Sequence, residues 1–373
     1  MESVGLIMFA NIYKNKKVLV TGHTGFKGTW LTMWLLKLGA NIVGISKDIP
    51  TSPSMFEELK LKGKIEHYQE DIRDLSKMTE IMVHEKPDFL FHLAAQAIVS
   101  TSYTNPMETI TSNVVGTANI LEALRESNHK CTVIIITSDK AYDNVEQVWG
   151  YKEDDKMGGK DIYSGSKGAA ELIIKSYYYS FFKSNKSNIR LAIGRAGNVI
   201  GGGDWAKDRI VVDCVEAWSR GQSVEIRSPE ATRPWQHVLE PLSGYLNLGA
   251  ELYGDDSFHG EAFNFGPRAE QNHTVKQLLG DLSKYWNFEK IDDVFSITDN
   301  IPFHEAGLLK LNCDKALFFM KWQANLEYKD TIKFTSEWYY DFYNSDKNIL
   351  DKTLKQISEY ESMANAKELK WTE

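Results

Sequence analysis

The chain has 373 residues, of which 42% are hydrophobic and 25% charged, and its formal net charge is −8. This composition is typical of a globular protein with ample apolar material for a core, and it excludes a disordered chain. The negative charge is spread without a long basic run, which argues against a nucleic-acid partner and against a membrane surface.

The N-terminal part of the chain is predicted to carry no targeting signal. Residues 1–15 precede the first predicted strand and are expected to form a flexible extension. The apolar stretch Val4 to Ala10 is too short for the hydrophobic region of a signal peptide, and no later run approaches membrane-spanning length. We therefore expect a cytoplasmic protein.

The first strong motif follows the apolar run Val18 to Val20. A strand that ends in glycines and turns directly into a helix aims backbone N–H groups at one point, which suits a pyrophosphate. Gly22 is predicted to permit the tight turn, Gly25 to let the backbone approach the phosphates, and Gly28 to let the helix pack closely. The predicted cofactor-binding residues of this motif are Gly22, Thr24, Gly25, Phe26, Lys27 and Gly28.

The second predicted strand, Asn41 to Ser46, leaves the choice between NAD and NADP open. Folds that use NAD usually have an acid at this strand end for the ribose hydroxyls, whereas a basic residue tolerates the extra phosphate of NADP. Asp48 lies about twenty residues beyond the glycines, but Ser46 occupies the acid's usual place by strand register. Lys47 and Asp48 are equally well explained as exposed loop charges.

The next two predicted strands end on acidic or small residues. After Ile65 to Tyr68 the chain reaches Asp71 and Ile72, where Asp71 either accepts a hydrogen bond from an adenine amino group or caps the following helix. The strand Phe89 to Leu93 ends in Ala94-Ala95, whose small side chains would let a flat cofactor lie against the backbone.

A later strand and helix carry the candidate chemistry. The continuous apolar run Cys131 to Ile136 predicts a strand buried on both faces, and it opens onto Thr137-Ser138-Asp139-Lys140. In the helix that begins near Ile162, Tyr163 and Lys167 lie one turn apart and share a face. Because a free phenol has a pKa of about 10, the lysine's charge is what would make this tyrosine a usable base.

These elements predict an α/β protein with a Rossmann-type, doubly wound parallel sheet and a smaller mixed α/β substrate lobe. Residues 16–195 are predicted to form mainly the dinucleotide-binding domain. Residues 196–373 are predicted to form mainly the second lobe, with some segments returning to the first. The glycine run Gly201 to Asp204 is expected to be a flexible loop. The helices predicted over 106–126 and 162–183 carry more apolar surface than one sheet face can cover, which predicts a homodimer.

The three cysteines, Cys131, Cys214 and Cys313, fit neither a disulfide framework nor a zinc site. We therefore expect free thiols in a reducing compartment and no metal.

Several stretches together resemble a known family. The chain is similar to the extended short-chain dehydrogenase/reductases from residue 17 to about residue 340, and in particular to the branch that dehydrates CDP-sugars. The stretches that carry the resemblance are Val20 to Gly28, His92 to Gln96, Thr137 to Lys140, Tyr163 to Glu171, Arg195 to Trp205 and Thr232 to Pro241.

The resemblance implies a reaction and a cofactor. It implies NAD-dependent dehydration of CDP-glucose to CDP-4-keto-6-deoxyglucose, in deoxysugar biosynthesis for surface polysaccharide. Hydride leaves C4, water is eliminated across C5 and C6, and the same hydride returns to C6. The hydride carrier is thereby regenerated in each turnover.

The resemblance also assigns roles to residues. Tyr163, supported by Lys167, would take the 4-hydroxyl proton while Ser138 hydrogen-bonds the developing ketone. Asp139 would protonate the departing 6-hydroxyl, and Lys140 would remove the C5 proton. The other cofactor-binding residues implied are Asp71, Ile72, Leu93, Ala94 and Ala95, with Tyr163 and Lys167 as well. The substrate-binding residues implied are Gln96, Asn198, Arg209, Arg233 and His237.

Three alternatives remain at this point. A 4,6-dehydratase or a 4-epimerase for another nucleotide sugar would use the same fold, although an epimerase has no use for the acid and base at 139 and 140. A non-enzymatic dinucleotide-sensing protein would be expected to lose Tyr163 or Lys167, and this chain has both. Lys140 could also be a structural ion-pair partner of Asp139.

Overall fold

A computed structural model describes residues 7–268, 270–286, 288, 293–298, 308–345 and 347–373. Its centre is a seven-stranded sheet in which all neighbouring strands are parallel. Seven strands form this sheet, and the other strands of the described residues form three short pairs. In chain order, all of these strands are β1 Lys17–Thr21, β2 Asn41–Ile45, β3 Glu66–Tyr68, β4 Phe89–His92, β5 Cys131–Ile136, β6 Ile189–Ala196, β7 Val199–Ile200, β8 Val224–Ile226, β9 Thr232–Arg233, β10 Gln236–His237, β11 Ala262–Phe265, β12 His273–Thr274 and β13 Phe295–Ile297.

The central sheet has the strand order β3-β2-β1-β4-β5-β6-β11. The order reverses direction between β1 and β4, and ligands of open α/β sheets bind outside the strand ends at such a point. There the Thr21 hydroxyl and His92 Nδ1 are hydrogen-bonded at 2.7 Å. The predicted Rossmann-type parallel sheet is thus confirmed.

Helices cover both faces of the sheet. They are α1 Phe26–Lys37, α2 Met55–Glu58, α3 Leu75–Glu85, α4 Val99–Thr104, α5 Pro106–Ile110, α6 Gly116–Ser127, α7 Ile162–Tyr177, α8 Ile210–Ser219, α9 Leu239–Gly254, α10 Val275–Ser283, α11 Asp314–Met320, α12 Tyr328–Asn344 and α13 Ile349–Ala366. One π-helical turn, Thr111–Val115, joins α5 to α6.

Two apolar cores lie on opposite faces of the sheet because its central strands are buried on both sides. One core contains the tryptophans of α1, Trp30 and Trp34, together with side chains of α9, α12 and α13. The other contains Met82 of α3, Leu121 of α6 and Ile174 of α7. The smaller strand pairs β7–β10, β8–β13 and β9–β12 belong to the C-terminal half of the chain.

The N-terminal segment departs from the sequence prediction. Met8, Phe9 and Tyr13 are buried, and the ring of Phe9 stacks on Trp371 with 5.1 Å between centroids. The Tyr13 hydroxyl donates to the Leu246 carbonyl at 2.5 Å. The prediction of a flexible extension is therefore wrong for these residues, while residues 1–6 lie outside the described part of the chain.

The glycine loop before α8 also differs from the prediction. A Cβ at Gly202 would stand 2.1 Å from the Trp338 ring, and Gly203 has a φ of +84° against Met55. The Tyr339 hydroxyl donates to the backbone carbonyl of Asp204 at 2.5 Å. The loop is thus packed into the aromatic residues of α12 rather than flexible, because glycine here allows close approach.

None of the helices in the described part of the chain is long and apolar enough to cross a membrane.

The docked N-terminal segment leads to a stability prediction. Phe9→Ala should lower the free energy of unfolding by about 3–5 kcal/mol, because it removes a fully enclosed ring and leaves a cavity against Trp34 and Trp371. Urea denaturation measures this change. Ile7→Ala, at an exposed position nearby, is the control and should change stability by less than about 0.5 kcal/mol. Equal, small effects of both variants would show that the segment is not docked.

Candidate active site

The turn between β1 and α1 has the shape predicted for a dinucleotide site. Gly22 has a φ of +74°, and a Cβ there would stand 2.8 Å from the backbone nitrogen of Ala94. A Cβ at Gly28 would stand 2.1 Å from the Gly22 carbonyl oxygen. Gly25 meets no such obstacle, since its nearest neighbour would lie at 3.4 Å. The glycines therefore leave room both for the turn and for a ligand at the helix N-terminus.

Ser46 lies at the end of β2 in a buried polar chain. Its hydroxyl is 3.1 Å from His23 Nδ1 and accepts from the backbone N–H of Thr24 at 3.4 Å. His23 Nε2 is in turn 2.8 Å from His67 Nδ1. Burial is the main cause that lowers the pKa of His23 to about 4, so its ring is neutral near pH 7.

A cavity of about 190 Å³ opens beside Ser46. Its lining residues are Ser46, Asp48, Ile49, Phe56, Lys62, His67 and Gln69. Lys47 and Asp48 are exposed, and the Lys47 ammonium pairs with Glu108 at 2.7 Å and with Asp48 at 3.8 Å. Of the two readings of these charges, the geometry favours exposed loop residues, and Ser46 occupies the buried position at the strand end.

The predicted cofactor residues after β3 and β4 have different environments. Asp71 is bound by the guanidinium of Arg73, at 2.6 Å, and this hydrogen bond is the main cause that lowers the pKa of Asp71. The residue that caps α3 is Asp74, whose carboxylate accepts from the backbone N–H of Lys77, so the capping alternative for Asp71 is wrong. Ile72 is buried. The three residues after β4, Leu93, Ala94 and Ala95, are partly exposed.

The predicted catalytic residues meet at the carboxyl end of β5. The Ser138 hydroxyl donates to Asp139 Oδ1 at 3.0 Å and accepts from the backbone N–H of Lys140 at 3.2 Å. The Ser138 side chain also lies near enough to the Tyr163 phenol to oppose the rise in the pKa of Tyr163. The ammonium of Lys167 lies 5.8 Å from the centroid of the Tyr163 ring. Tyr163, Lys167 and Asp139 are each more than nine-tenths buried. Ser138 therefore stands between a candidate base and a candidate acid.

Burial moves the pKa values of these groups away from their ordinary values. It raises the pKa of Tyr163, and the positive charge of Arg209 and the nearby Ser138 side chain oppose this increase. It lowers the pKa of Lys167 to about 8, which Glu171 partly opposes. It raises the pKa of Asp139, against the charges of Lys140 and Lys27 and the hydrogen bond of Ser138. Asp139 is thus biased toward the protonated form that a general acid needs.

Two lysines flank this group. Lys27, from the first turn of α1, has a pKa lowered to about 8 by burial and by the nearby Arg209, while Asp139 and Asp204 oppose the shift. Lys140 lies partly exposed on the short 3₁₀ turn Asp139–Ala141. Among the ion pairs of the described residues, none joins Lys140 to Asp139, so the geometry does not favour the ion-pair alternative for Lys140.

The predicted substrate residues are not all brought together. Arg209 immediately precedes α8, and its charge lowers the pKa of Tyr163. The Arg233 guanidinium donates to the Thr232 carbonyl at 2.8 Å. Asn198 lies between β6 and β7, and its backbone carbonyl accepts from the Gln236 N–H at 3.4 Å.

The side-chain amide of Gln96 is used inside its own loop. It donates to the Ile98 carbonyl at 2.9 Å and to the Thr109 hydroxyl at 2.7 Å. Its backbone N–H donates to Asn113 Oδ1 at 2.8 Å. These bonds favour a role in shaping the loop after β4 over a direct substrate contact.

The prediction that His237 binds substrate is wrong. Its ring is fully buried and lies edge-on to Trp30 and Phe334, with 5.8 and 5.5 Å between centroids. Burial lowers the pKa of His237 to about 3. His237 therefore belongs to the core between α1 and α12.

Glu171 and Arg195 form a buried ion pair next to the site, and the sequence analysis did not predict this pair. Glu171 accepts from Arg195 Nε at 2.8 Å, from the other arm of that guanidinium, and from the Thr137 hydroxyl at 2.6 Å. Arg195 Nη1 also donates to the Tyr142 hydroxyl at 2.7 Å. Glu171 lies one turn beyond Lys167 on α7, and this four-residue spacing was the signal in the sequence. The network fixes β5, β6 and α7 to one another.

No group of three or more His, Cys, Asp or Glu side chains that could hold a metal ion occurs among the residues the structure describes.

The sequence of the chain is similar to that of known proteins. Residues 19–301 match the family model described as GDP-mannose 4,6 dehydratase. A CDP-glucose 4,6-dehydratase from Salmonella typhimurium is 43% identical over 357 residues, covering 94% of this chain and 98% of that protein.

Two solved structures share the fold. An epimerase from Methanothermobacter thermautotrophicus superposes with a TM-score of 0.78 and 21% identity, covering 90% of this chain and 94% of its own. A dTDP-glucose 4,6-dehydratase from Streptomyces venezuelae, solved with NAD bound, gives a TM-score of 0.73 and 18% identity, covering 87% and 97%.

The buried pair makes a double-mutant prediction. Arg195→Met should destabilise the protein by about 3–5 kcal/mol, because it leaves the Glu171 carboxylate buried without its cation. Adding Glu171→Leu should recover most of that loss, since no unpaired charge then remains. Urea denaturation of the single and double variants measures both steps.

Lys333→Met breaks a more exposed pair with Glu359 and is the control, which should cost less than about 1 kcal/mol. Strictly additive losses for Arg195→Met and Glu171→Leu would contradict the expected coupling.

Proposed function

Because this chain belongs to the GDP-mannose 4,6-dehydratase family, we propose that it converts CDP-glucose to CDP-4-keto-6-deoxyglucose with NAD as the hydride carrier. The observation that carries the proposal is the placement of Tyr163 and Asp139 on the two sides of Ser138. Oxidation at C4 needs a base, and loss of the 6-hydroxyl needs an acid. This site offers both at one strand end.

The cofactor site fits a dinucleotide. Gly22 and Gly28 let the backbone of the turn and of α1 pack closely, and this places the N-terminus of α1 directly after β1, where it can bind a phosphate. The nicotinamide, when bound, would accept the hydride from C4 and return it to C6. Thr24, Gly25, Phe26 and Lys27 line the turn, while Asp71 and Ile72 are the candidates for the adenine end.

In the oxidation step, Tyr163 takes the proton of the 4-hydroxyl. Burial alone opposes phenolate formation, so the positive charges of Lys167 and Arg209 must offset it. Ser138 is placed to hydrogen-bond both the phenol and the developing ketone oxygen.

In the elimination step, the new ketone makes the C5 proton acidic. Lys140, on the short turn that follows Ser138, is the candidate base for that proton. Asp139, held toward its protonated form by burial, gives a proton to the departing 6-hydroxyl. The electron pair of the C6–O bond leaves with that oxygen as water.

The diphosphate of the substrate is assigned to a cationic group on the same side of the site. The charge of Arg209 helps to lower the pKa of Lys27, and both cations lie close enough to Asp204 to oppose the rise in its pKa. A guanidinium suits the paired oxygens of a phosphate. Arg233 and Asn198 would extend this group along the nucleotide.

Other nucleotide sugars are the main competing substrates. A 4-epimerase would use Tyr163, Lys167 and Ser138 but would not need a buried acid at 139, so Asp139 favours dehydration. We place the reaction in the cytoplasm, in deoxysugar synthesis for surface polysaccharide. The thiols of Cys131, Cys214 and Cys313 are all free, which agrees with a reducing compartment.

A labelling experiment tests the reaction. Deuterium at C4 of CDP-glucose should appear in the C6 methyl group of the product, and C5 should acquire solvent hydrogen. Mass spectrometry and NMR of the product locate both. Deuterium that stays at C4 would favour the epimerase alternative.

Asp139→Asn should separate the two steps. Elimination should slow by roughly 10²–10⁴-fold, because the general acid is lost, while C4 oxidation still reduces bound cofactor. Absorbance of reduced nicotinamide in a single turnover, compared with product formation, measures the two rates. Tyr163→Phe is the matched variant that should impair both steps. Full activity of Asp139→Asn would refute the assigned acid.

Because position 46 is a serine and not an acid, we predict that the protein binds NAD weakly. No carboxylate stands at its position to bind the ribose, and one such charge-assisted hydrogen bond contributes about 1.5–3 kcal/mol. Ser46→Asp should therefore tighten NAD binding by about tenfold or more, as measured by calorimetric titration. Glu359→Gln, in the partly exposed pair with Lys333 on α13, is the control and should have little effect. Stoichiometric NAD that cannot be exchanged from freshly purified wild-type protein would contradict this prediction.

We also propose that the protein is a homodimer. Met107, Val115 and Leu172 expose 62%, 43% and 58% of their surfaces on the α5, π-turn and α7 side of the molecule. Light scattering should give about twice the 42.5 kDa chain mass, and Leu172→Glu should shift it toward the monomer. Val83→Glu, at an exposed position on α3, is the control and should leave the mass unchanged. A monomer mass for the wild type at micromolar concentration would refute the dimer.

A further inference from the structure

His92 is a buried histidine at the carboxyl end of β4, and both of its ring nitrogens are hydrogen-bonded. The residue is 2% exposed. Its Nδ1 is 2.7 Å from the hydroxyl of Thr21, the last residue of β1, and its Nε2 is 3.1 Å from the hydroxyl of Thr117 on α6. Burial and, to a smaller extent, the charge of Lys167 lower the pKa of His92 to about 3, so the ring is neutral near pH 7.

The other partners of the two threonines determine which ring nitrogen carries the proton. The Thr117 hydroxyl donates to the Asn113 carbonyl at 2.8 Å, so its oxygen accepts from His92 Nε2–H. The Thr21 oxygen accepts from the backbone N–H of Ala94 at 3.2 Å, and this leaves the Thr21 proton for Nδ1. The network therefore assigns the proton to Nε2, and Nδ1 is an acceptor.

The Nδ1 side of the ring leads to the cofactor turn. Thr21 immediately precedes Gly22, which has a φ of +74° in the tight turn before α1. The Ala94 nitrogen that donates to the Thr21 hydroxyl is also the atom that a Cβ at Gly22 would approach to 2.8 Å. The His92 ring therefore joins the ends of β1 and β4 at the point where a pyrophosphate is expected to bind.

The Nε2 side of the ring leads to the helix that carries the candidate base, Tyr163. Thr117 donates to the carbonyl of Asn113, which is the central residue of the π-helical turn between α5 and α6. The Asn113 amide donates to the Ser166 hydroxyl at 2.9 Å, and that hydroxyl donates to the Tyr163 carbonyl at 2.7 Å. A chain of hydrogen bonds thus runs from the His92 ring to the backbone of Tyr163.

We propose that His92 is a positioning residue in which each ring nitrogen has a separate role. Nδ1 holds the end of β1 in the geometry that binds NAD, and Nε2 holds α6 and, through it, the helix that carries Tyr163. Because the imidazole ring is rigid, it fixes the spacing between the cofactor turn and the base. The role of Nε2 rests on the proposed dehydratase reaction, whereas the role of Nδ1 concerns cofactor binding alone.

Two variants separate the two nitrogens, because the side-chain amide of Asn reaches the position of Nδ1 and that of Gln reaches the position of Nε2. His92→Asn should keep the Kd for NAD within about twofold of the wild type, while C4 oxidation slows by about tenfold, the worth of one hydrogen bond. His92→Gln should weaken NAD binding by about tenfold and, with NAD saturating, oxidise C4 within about twofold of the wild-type rate. Calorimetric titration measures the Kd, and the absorbance of reduced nicotinamide in single turnovers with CDP-glucose measures oxidation.

His129→Phe is a matched control for His92→Phe, which should show both losses. The Nδ1 of His129 is 3.0 Å from the Ser127 hydroxyl, and its Nε2 is 3.1 Å from the Pro87 carbonyl. These residues precede β4 and β5, at the edge of the sheet opposite the candidate site. His129→Phe should lower the melting temperature but leave the Kd for NAD and the rate of C4 oxidation unchanged.

The outcomes keep the two proposals apart. If the wild type forms no 4-keto-6-deoxy product, the dehydratase reaction fails, and an unchanged Kd for NAD in His92→Gln would then refute the inference as well. If the wild type forms product but His92→Asn and His92→Gln lose binding and oxidation to the same extent, His92 is only structural and the inference alone is refuted. Wild-type binding and oxidation in both variants would also refute it.

Discussion

The structure depends on how closely α1 approaches the end of β1. Gly28 and the carbonyl of Gly22 come so near that a single methyl group would separate the helix from the strand. When α1 packs against the end of β1 in this way, the Trp30 indole donates to the Gly202 carbonyl at 2.9 Å, and the Trp34 indole donates to the Glu361 carboxylate at 2.9 Å. One backbone contact thereby sets the position of the pyrophosphate turn, of the loop before α8 and of the C-terminal helix.

The chemistry of the site arises from burial acting on groups of opposite charge. Desolvation raises the pKa of Asp139 and lowers those of Lys27 and Lys167, so each group moves toward its neutral form. Their mutual attraction limits these shifts. Glu171 and Arg195 neutralise each other in a buried ion pair next to this group. The charges of Lys27, Lys167 and Asp139 therefore stay available to the substrate and the cofactor.

The sequence was sufficient wherever a short pattern determines local structure. The apolar run Cys131 to Ile136 predicted β5 to the residue, and the glycine spacing predicted the β1–α1 turn. Predictions failed where the deciding partner is far along the chain. Phe9 is held by Trp371, and Gly202 by Trp338. His237, polar and within a recognisable motif, is enclosed by aromatic rings of α1 and α12 that no local pattern reveals.

The contact between α1 and α13 has a consequence for synthesis on the ribosome. Trp34 and Glu361 are separated by 327 positions, so the outer face of α1 stays uncovered until nearly all of these residues have been translated. At typical elongation rates this interval lasts on the order of tens of seconds. During it, the Trp34 indole lacks its final hydrogen-bond acceptor, whereas the Gly202 partner of Trp30 is made earlier. The nascent chain therefore exposes part of an apolar helix face until the segment that contains Glu361 has been made.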